Sequence, residues 1–266
     1  MKKTILVFLM FTGSFTYAQQ TNYRTVNDSS MEQQNQISLT APTPIAKKQP
    51  ILRPYILPAV FISYGFASLG HNPIHQINTN TKNELAEDHP LFKTKIDNYL
   101  QYSPAAAVYA LNMAGIKGKN NFRDRTFIYA ISTAISGIAA LSLKSITKVE
   151  RPDGSANNSF PSGHTTTAFA AASFLQHEYK NVSPWYGIAG YAVASGVGVL
   201  RLYNNKHWVG DVVAGAGLGI LSTQLAYTIY PLIKKKLFTN KSSQTVLIPY
   251  YQQHTGGISM LYQFGK

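Results

Sequence analysis

Apolar residues are distributed unevenly along the chain, and their pattern changes near Ser103. Before that point Gln19–Pro50 is polar, Ile51–Gly70 is apolar but contains prolines, and His71–Gln101 is polar and carries much of the chain's acid. After it, apolar runs recur with turn or charged residues between them, at Pro104–Gly115, Thr126–Leu143, Thr165–Leu175, Trp185–Val199 and Val209–Ile233. Runs of this length and spacing predict an all-α fold, a helical bundle.

The same runs indicate contact with a membrane. A membrane-spanning helix needs about 20 apolar residues, and Val209–Ile233 meets that length with Asp211 as its only charge. Basic residues precede the second run between Lys117 and Arg125, and Lys234–Lys236 follow the last run, as expected for cytoplasmic ends. We therefore predict several membrane-embedded or membrane-associated helices, with a soluble periplasmic bundle as the alternative.

The two ends of the chain have a different character. Lys2 and Lys3 precede the short apolar stretch Thr4–Phe15, and Ala18 is a small residue before a cut, so residues 1–18 are predicted to be a signal peptide. An uncleaved anchor helix is the alternative. We predict a flexible leader over 19–50, a helical domain over 51–241, and a small C-terminal β-hairpin over 242–266 from the "TVLIPYY…ISMLYQF" pattern.

The amino-acid composition limits the classes of ligand and chemistry that the protein can use. The 266-residue chain has a formal net charge of +13, which favours anions such as anionic lipid or phosphorylated substrates. No nucleic-acid-binding signature accompanies the basic residues, so no nucleic-acid partner is predicted. The chain contains no cysteine, which excludes thiol catalysis, disulfides and cysteine-based zinc sites.

A "PSGH" stretch at the start of an apolar run is the first candidate for chemistry. Ser162 is a favourable N-cap residue, and Gly163 allows a ligand to approach the backbone closely. The free N–H groups at a helix N-terminus bind anions, and the helix dipole adds to the attraction. His164 at this position could donate a proton to a bound anion.

Further candidates lie on either side of this turn. Lys144 and Arg151 end the preceding run and suit a phosphate group, while Arg201 ends a later run. Asp211 lies in an apolar run, so it needs a partner, and His207 is one helical turn before it. Such pairing fixes the imidazole tautomer and leaves the other ring nitrogen as a nucleophile. Because alternate connections of an up-and-down bundle lie at one end, we expect these groups to converge.

Together these residues resemble a known family. Lys144-x6-Arg151-Pro152, then Pro161-Ser162-Gly163-His164, then Arg201-x5-His207-x3-Asp211 are similar to the three-part signature of the type 2 phosphatidic acid phosphatase and vanadium haloperoxidase superfamily. The resemblance covers Thr126–Ile233. Leu200 departs from the pattern, because the family often has serine there, and one phosphate hydrogen bond is in doubt as a result.

The resemblance implies a role for each residue. His207 would attack phosphorus and form a phosphohistidine, Asp211 would orient it, and His164 would protonate the leaving oxygen. The phosphoryl oxygens would be held by Lys144, Arg151, Ser162, Gly163 and Arg201. Three cations replace a metal, so neither a metal nor another cofactor is expected.

The function expected from the resemblance is a metal-independent phosphatase of the cell envelope, with its active site facing the periplasm. Its substrate would be a membrane lipid phosphate: a phosphatidate-type lipid, a polyprenyl diphosphate or lipid A. The alternatives are a soluble periplasmic acid phosphatase of broad specificity, a vanadate-dependent haloperoxidase, and a phospholipid-binding protein without turnover.

Overall fold

The computed structural model describes residues 52–238, together with the backbone of residues 245–252 and 255–262. The first of these segments is helical: α1 (Arg53–Ala67), α2 (Pro73–Asp88), α3 (Asp97–Leu100), α4 (Ser103–Met113), α5 (Phe122–Thr147), α6 (Gly163–Tyr179), α7 (Pro184–Tyr203) and α8 (Val209–Phe238). Helices α4 to α8 coincide with the predicted apolar runs, which confirms the helical bundle. Helices α1, α2 and α3 lie within the predicted helical domain over 51–241 but were not predicted as separate helices.

Local sequence explains where several helices begin. The side chains of Asn72, Asn121 and Ser183 accept hydrogen bonds from backbone N–H groups in the first turns of α2, α5 and α7. Helices α1, α2, α4 and α7 have proline in the first turn, where its missing N–H costs nothing. Helix α5 ends at Thr147, and the following residue, Lys148, has a left-handed φ of 47°.

Helices α6 and α8 run parallel in close contact. Thr223 Oγ1 donates to the carbonyl oxygen of Ala170 at 3.1 Å. At the start of the two helices, a Cβ added to Gly215 would lie 2.7 Å from the carbonyl oxygen of Ser162. Helix α5 is antiparallel to α8, with Ser132 Oγ 2.7 Å from Thr223 Oγ1. Helices α6 and α8 therefore begin at the end of the bundle where α5 finishes.

Helix α7 returns the chain to that same end. A Cβ added to Gly187 would meet the Gln176 side chain near the end of α6, while one added to Gly198 would lie 3.7 Å from Thr165 near its start. Helix α7 is thus antiparallel to α6. Its last turn, with Arg201, lies where α6 and α8 begin.

Helix α1 packs antiparallel along α8. Tyr55 OH lies 2.8 Å from Thr228 Oγ1 near one end. Near the other end, a Cβ added to Gly65 would be 2.9 Å from the carbonyl oxygen of Gly210. The start of α1 therefore lies at the end of the bundle opposite to the N-terminus of α8.

A buried polar cluster closes that opposite end. Glu178, which is 1% exposed, accepts hydrogen bonds from Asn120 Nδ2 at 2.6 Å and from Tyr227 OH at 2.6 Å. Arg125 lies 3.9 Å from its carboxylate and donates to the carbonyl oxygen of Asn120. The Glu178 carboxylate thus gains partners that offset the cost of its burial, whereas Arg125 Nη1 is buried without a hydrogen-bond partner among the residues that the structure describes.

Helices α5 and α8 are long and apolar enough to cross a membrane. In their most apolar windows, 22% of the α5 residues and 50% of the α8 residues are buried inside the protein. The length and composition of these two helices therefore agree with the prediction of membrane-associated helices.

The structure describes little of the two ends of the chain, for which the sequence predicts a signal peptide, a leader and a hairpin. Strands β1 (Thr245–Gln252) and β2 (Thr255–Tyr262) pair antiparallel, with Thr245 opposite Tyr262. Their connection and side chains lie outside the described residues, so the C-terminal hairpin stays a prediction. The predicted signal peptide over 1–18 and leader over 19–50 also fall outside the described residues.

Candidate active site

His207 and Asp211 meet at the N-terminus of α8. His207 Nδ1 lies 3.4 Å from Asp211 Oδ2, and both side chains are almost fully buried. The same carboxylate oxygen accepts hydrogen bonds from Ser159 Oγ at 2.5 Å and from the backbone N–H of Trp208 at 2.9 Å. Ser159 Oγ also lies 3.4 Å from His207 Nδ1. Asp211 is therefore held rigidly while it faces the imidazole.

Burial determines the charge of His207. It lowers the pKa of this imidazole to about 4, because the charged form loses hydration, although Asp211 opposes the shift. His207 is therefore neutral near pH 7, as a nitrogen nucleophile must be. Because Nδ1 faces Asp211 and Ser159, Nε2 is the ring nitrogen that remains for attack on a substrate.

The turn before α6 is docked directly on the first turn of α8. The backbone N–H of Ser162 donates to the carbonyl oxygen of Asp211 at 3.0 Å. The Ser162 side chain caps α6 and lies 2.9 Å from Thr165 Oγ1. A Cβ added to Gly163 would meet no atom within 4 Å, so the glycine leaves space beside the backbone. Two helix N-termini thus face the same region, which attracts anions.

His164, the other catalytic candidate, contacts a residue far away in sequence. Its Nε2 lies 2.7 Å from Asn98 Oδ1 in α3. Because an amide oxygen only accepts, Nε2 carries the hydrogen in this contact. The proton that His164 could exchange with a substrate is then the one on Nδ1.

Two of the predicted cations share one asparagine. Lys144 Nζ donates to the backbone carbonyl oxygen of Asn158 at 2.5 Å, and Arg151 Nε donates to Asn158 Oδ1 at 2.9 Å. Both side chains are half-buried. Both act electrostatically on His164, and Lys144 also acts on His207. The structure therefore brings them to the same end of the bundle as the histidines.

The third cation is paired with an acid from α3. Arg201 Nη1 donates to Asp97 Oδ2 at 2.7 Å, and the two residues are 8% and 1% exposed. Arg201 Nε and Asp97 Oδ1 are buried without a hydrogen-bond partner in this part of the chain. Arg201 also acts electrostatically on both His164 and His207. A buried guanidinium with an unused N–H group is suited to an anionic ligand.

The structure thus places every site residue predicted from the sequence at the same end of the bundle, while their joint role stays a prediction. Four supporting residues were missed: Asp97, Asn98, Asn158 and Ser159. A serine and an asparagine in a loop carry no distinctive signal, and Asp97 and Asn98 lie in a polar segment far from the signature. Among residues 52–238, no group of three or more His, Asp or Glu side chains is placed to hold a metal ion.

The fold and site define a helical bundle with a cationic, histidine-containing end built for anions. Residues 125–235 match the model of the PAP2 superfamily, and the chain therefore contains a PAP2 superfamily domain. This confirms the resemblance indicated by the three motifs.

Known proteins are similar over parts of the chain. A lipid A 1-phosphatase of Porphyromonas gingivalis is 44% identical over 143 residues, which are 53% of this chain and 32% of that protein. The chain thus spans about a third of that relative's length. Aquifex aeolicus LpxE aligns with a TM-score of 0.42 and 20% identity, over 55% of this chain and 93% of its own. A transmembrane PAP2-type phosphatidylglycerolphosphate phosphatase of Bacillus subtilis aligns with a TM-score of 0.48 and 21% identity, over 72% and 100%.

Proposed function

We propose that the protein is a metal-independent phosphatase that hydrolyses a phosphorylated membrane lipid through a phosphohistidine on His207. The observation that carries this proposal is the placement of His207, held by Asp211 beside two helix N-termini, where Lys144 and Arg201 act on it electrostatically and Arg151 acts on His164. The PAP2 superfamily domain and the likeness to a lipid A 1-phosphatase support the same reaction.

In the first step, His207 Nε2 attacks phosphorus and the bond from phosphorus to the leaving oxygen breaks. His164 transfers its proton to that oxygen, so the product leaves as an alcohol or as a phosphate. Asp211 stabilises the positive charge that develops on His207. In the second step, water attacks the phosphohistidine and gives a proton to His164. Inorganic phosphate leaves and His207 is restored.

The remaining residues neutralise and position the phosphoryl group. Lys144, Arg151 and Arg201 supply positive charge, and the Ser162 side chain and Gly163 N–H supply donors. Phosphoryl transfer depends mainly on positioning and on neutralisation of spread negative charge. Three cations meet that need without a divalent metal ion.

A membrane lipid is the proposed substrate because of the surface around the bundle. Helices α5 and α8 have membrane length and composition, and the relative's name points to lipid A among the candidate lipids. Lys117, Lys119 and Lys234–Lys236 belong to the end of the bundle opposite His207. Basic residues favour the cytoplasmic side, so the active site is proposed to face the periplasm.

The test is a comparison of wild-type and His207→Ala protein, both purified in detergent, with ³²P-labelled lipid phosphates. The wild type should give acid-labile, alkali-stable labelled protein in a rapid quench, and it should release phosphate in excess EDTA. The His207→Ala variant should lack the label and turn over on the order of 10³-fold or more slowly. His71→Ala, at an exposed histidine, is the matched control.

Two outcomes would contradict the proposal. Wild-type rates in a folded His207→Ala protein would exclude the covalent mechanism. Activity that disappears with EDTA and returns with Mg²⁺ would place the protein in a metal-dependent class.

A further inference from the structure

A cavity of about 780 Å³ opens beside Arg201, lined by some residues of α2, of α3 and of the connection between them, by Asp153 and by residues 201–206. Cavities that hold small ligands measure about 300–1,000 Å³. Neither His207 nor His164 lines it, but Asn98, the partner of His164, does. The cavity therefore adjoins the reacting centre and is large enough for a group that does not react.

Positively charged side chains outnumber negatively charged ones in the lining of the cavity. Its two carboxylates are already paired, Asp97 with Arg201 at 2.7 Å and Asp153 with Lys206 at 2.5 Å. Lys93 and Lys95 also line the cavity, and no carboxylate of the lining remains to pair with them. The cavity thus carries an excess of two positive charges, which attracts an anion.

The buried edge of the cavity offers one unused donor and one unused acceptor. Arg201 Nε and Asp97 Oδ1 are both buried without a partner among the residues that the structure describes, and both residues line the cavity. Buried polar groups in proteins are normally hydrogen-bonded. A ligand with a phosphoryl oxygen for Arg201 and a hydroxyl group for Asp97 would satisfy both atoms.

We propose that this cavity binds the headgroup of the substrate, and that this headgroup carries hydroxyl groups and a second anionic group held by Lys93 and Lys95. The inference rests on the proposed phosphatase function. It selects, among lipid phosphates, those whose headgroup carries an anion besides the phosphate that is removed. A lipid with a single phosphate and no further anionic headgroup lacks the group that these lysines would bind.

The test uses synthetic lipid phosphates that share their acyl chains, a hydroxyl-bearing headgroup and the phosphate to be removed. The far end of the headgroup carries a phosphate, a carboxylate or a neutral hydroxyl group in turn. For the wild type we expect kcat/KM at least tenfold higher with a distal anion than with the hydroxyl. The phosphate and carboxylate arms show which anion is preferred.

The variant is the double substitution Lys93→Ser and Lys95→Ser, and the control is Lys235→Ser with Lys236→Ser at the opposite end of α8. The first variant should reduce the preference to within twofold, through a higher KM for the anionic headgroups. It should leave the rate on p-nitrophenyl phosphate unchanged, because that substrate has no headgroup. The control should retain the wild-type preference.

Equal wild-type rates on the three lipids, or a preference that survives in the Lys93→Ser/Lys95→Ser variant, would overturn the inference while the phosphatase function stands. Absence of phosphate release from every lipid and from p-nitrophenyl phosphate would overturn the proposed function and this inference with it.

Discussion

Asp211 performs two tasks with one carboxylate oxygen. It accepts the backbone N–H of Trp208 before α8, which satisfies a donor at the helix start, and it faces His207 Nδ1. The first task is structural and needs only an acceptor. The second is the catalytic role proposed above and needs a negative charge, so a substitution that keeps the oxygen but removes the charge separates them.

We expect Asp211→Asn to lower turnover by roughly 10³-fold or more, by analogy with the loss when a charge that orients a catalytic histidine is removed. The asparagine oxygen can still accept from Ser159 and Trp208, so melting temperature should be unchanged or slightly higher. Single-turnover rates and thermal melts on the same preparation measure both effects. Asp88→Asn, at an exposed carboxylate of α2, is the control. An unfolded variant with normal activity per folded molecule would make Asp211 purely structural.

Asn98 is expected to influence the pH dependence through His164. With His207 as the proposed nucleophile, its low pKa places the acidic limb of kcat/KM near pH 4, where the imidazole loses its proton as pH rises. The alkaline limb should follow deprotonation of His164, the proposed general acid. Asn98→Asp places a carboxylate beside Nε2 and stabilises the imidazolium, so the alkaline limb should move to higher pH. Asn98→Ala removes the acceptor and should move it to lower pH. An alkaline limb that stays fixed in both variants would contradict this role.

At the residue scale, the sequence predicted the groups that are proposed to react and missed the residues that form hydrogen bonds and ion pairs with them. Asp211 was predicted because a lone charge in an apolar run needs a partner. Asp97 and Asn98 lie in a polar segment where an exposed side chain is the ordinary case. Their partners Arg201 and His164 are distant in sequence, and only the tertiary fold brings them together.

The glycines of α8 set how closely the neighbouring helices approach. Gly215 faces the Ser162 turn, and Gly217 faces α1, where an added Cβ would lie 2.7 Å from the carbonyl oxygen of Pro58. An alanine at either position would push backbone apart, because the atom it meets belongs to a main chain and not to a flexible side chain.

We expect Gly215→Ala to reduce kcat by at least tenfold, because it displaces Ser162 and with it the turn that carries His164. The matched substitution Gly196→Ala, on an exposed face of α7 with no atom within 4 Å of the new Cβ, should leave kcat unchanged and stabilise the protein by about 0.5–1 kcal/mol. Turnover and thermal melts of both variants provide the comparison. Normal turnover in Gly215→Ala would show that the turn tolerates the shift.

At the element scale, four of the five predicted runs lie within the observed helices, while Pro104–Gly115 extends two residues beyond the end of α4 at Met113. Helix α5 begins at Phe122, whereas the predicted run began at Thr126. The prediction started late because Arg123, Asp124 and Arg125 in the first turn interrupt the apolar pattern. Helix α1 was not predicted as a separate helix because prolines usually interrupt helices. Pro54 lies in the first turn, where no hydrogen bond is lost, and α8 packs against the turn that contains Pro58.

Across the whole molecule, polar groups concentrate at the two ends of the bundle and apolar side chains cover its flanks. Ile138, Leu141 and Ile146 of α5 are 67–76% exposed, as are Trp185 of α7 at 71% and Leu232 of α8 at 70%. An exposed apolar surface of this kind is typical of contact with lipid. We expect the protein to stay in the membrane pellet after an alkaline carbonate wash and to be released by detergent. Release by the wash alone would favour the soluble alternative.

The antiparallel contact of α1 with α8 also determines whether the chain crosses the bundle an even or an odd number of times. Arg53 begins α1 at the end where Lys234–Lys236 finish α8, so the chain crosses the bundle an even number of times between these points. Both points must lie on the same face of any membrane that the bundle spans, and the lysines favour the inner face. The signal peptide predicted over residues 1–18 would instead place Arg53 on the outer face, so that prediction and this arrangement exclude each other. Epitope tags placed just before Arg53 and just after Phe238 should therefore become accessible to antibody together, and only once the inner face is opened.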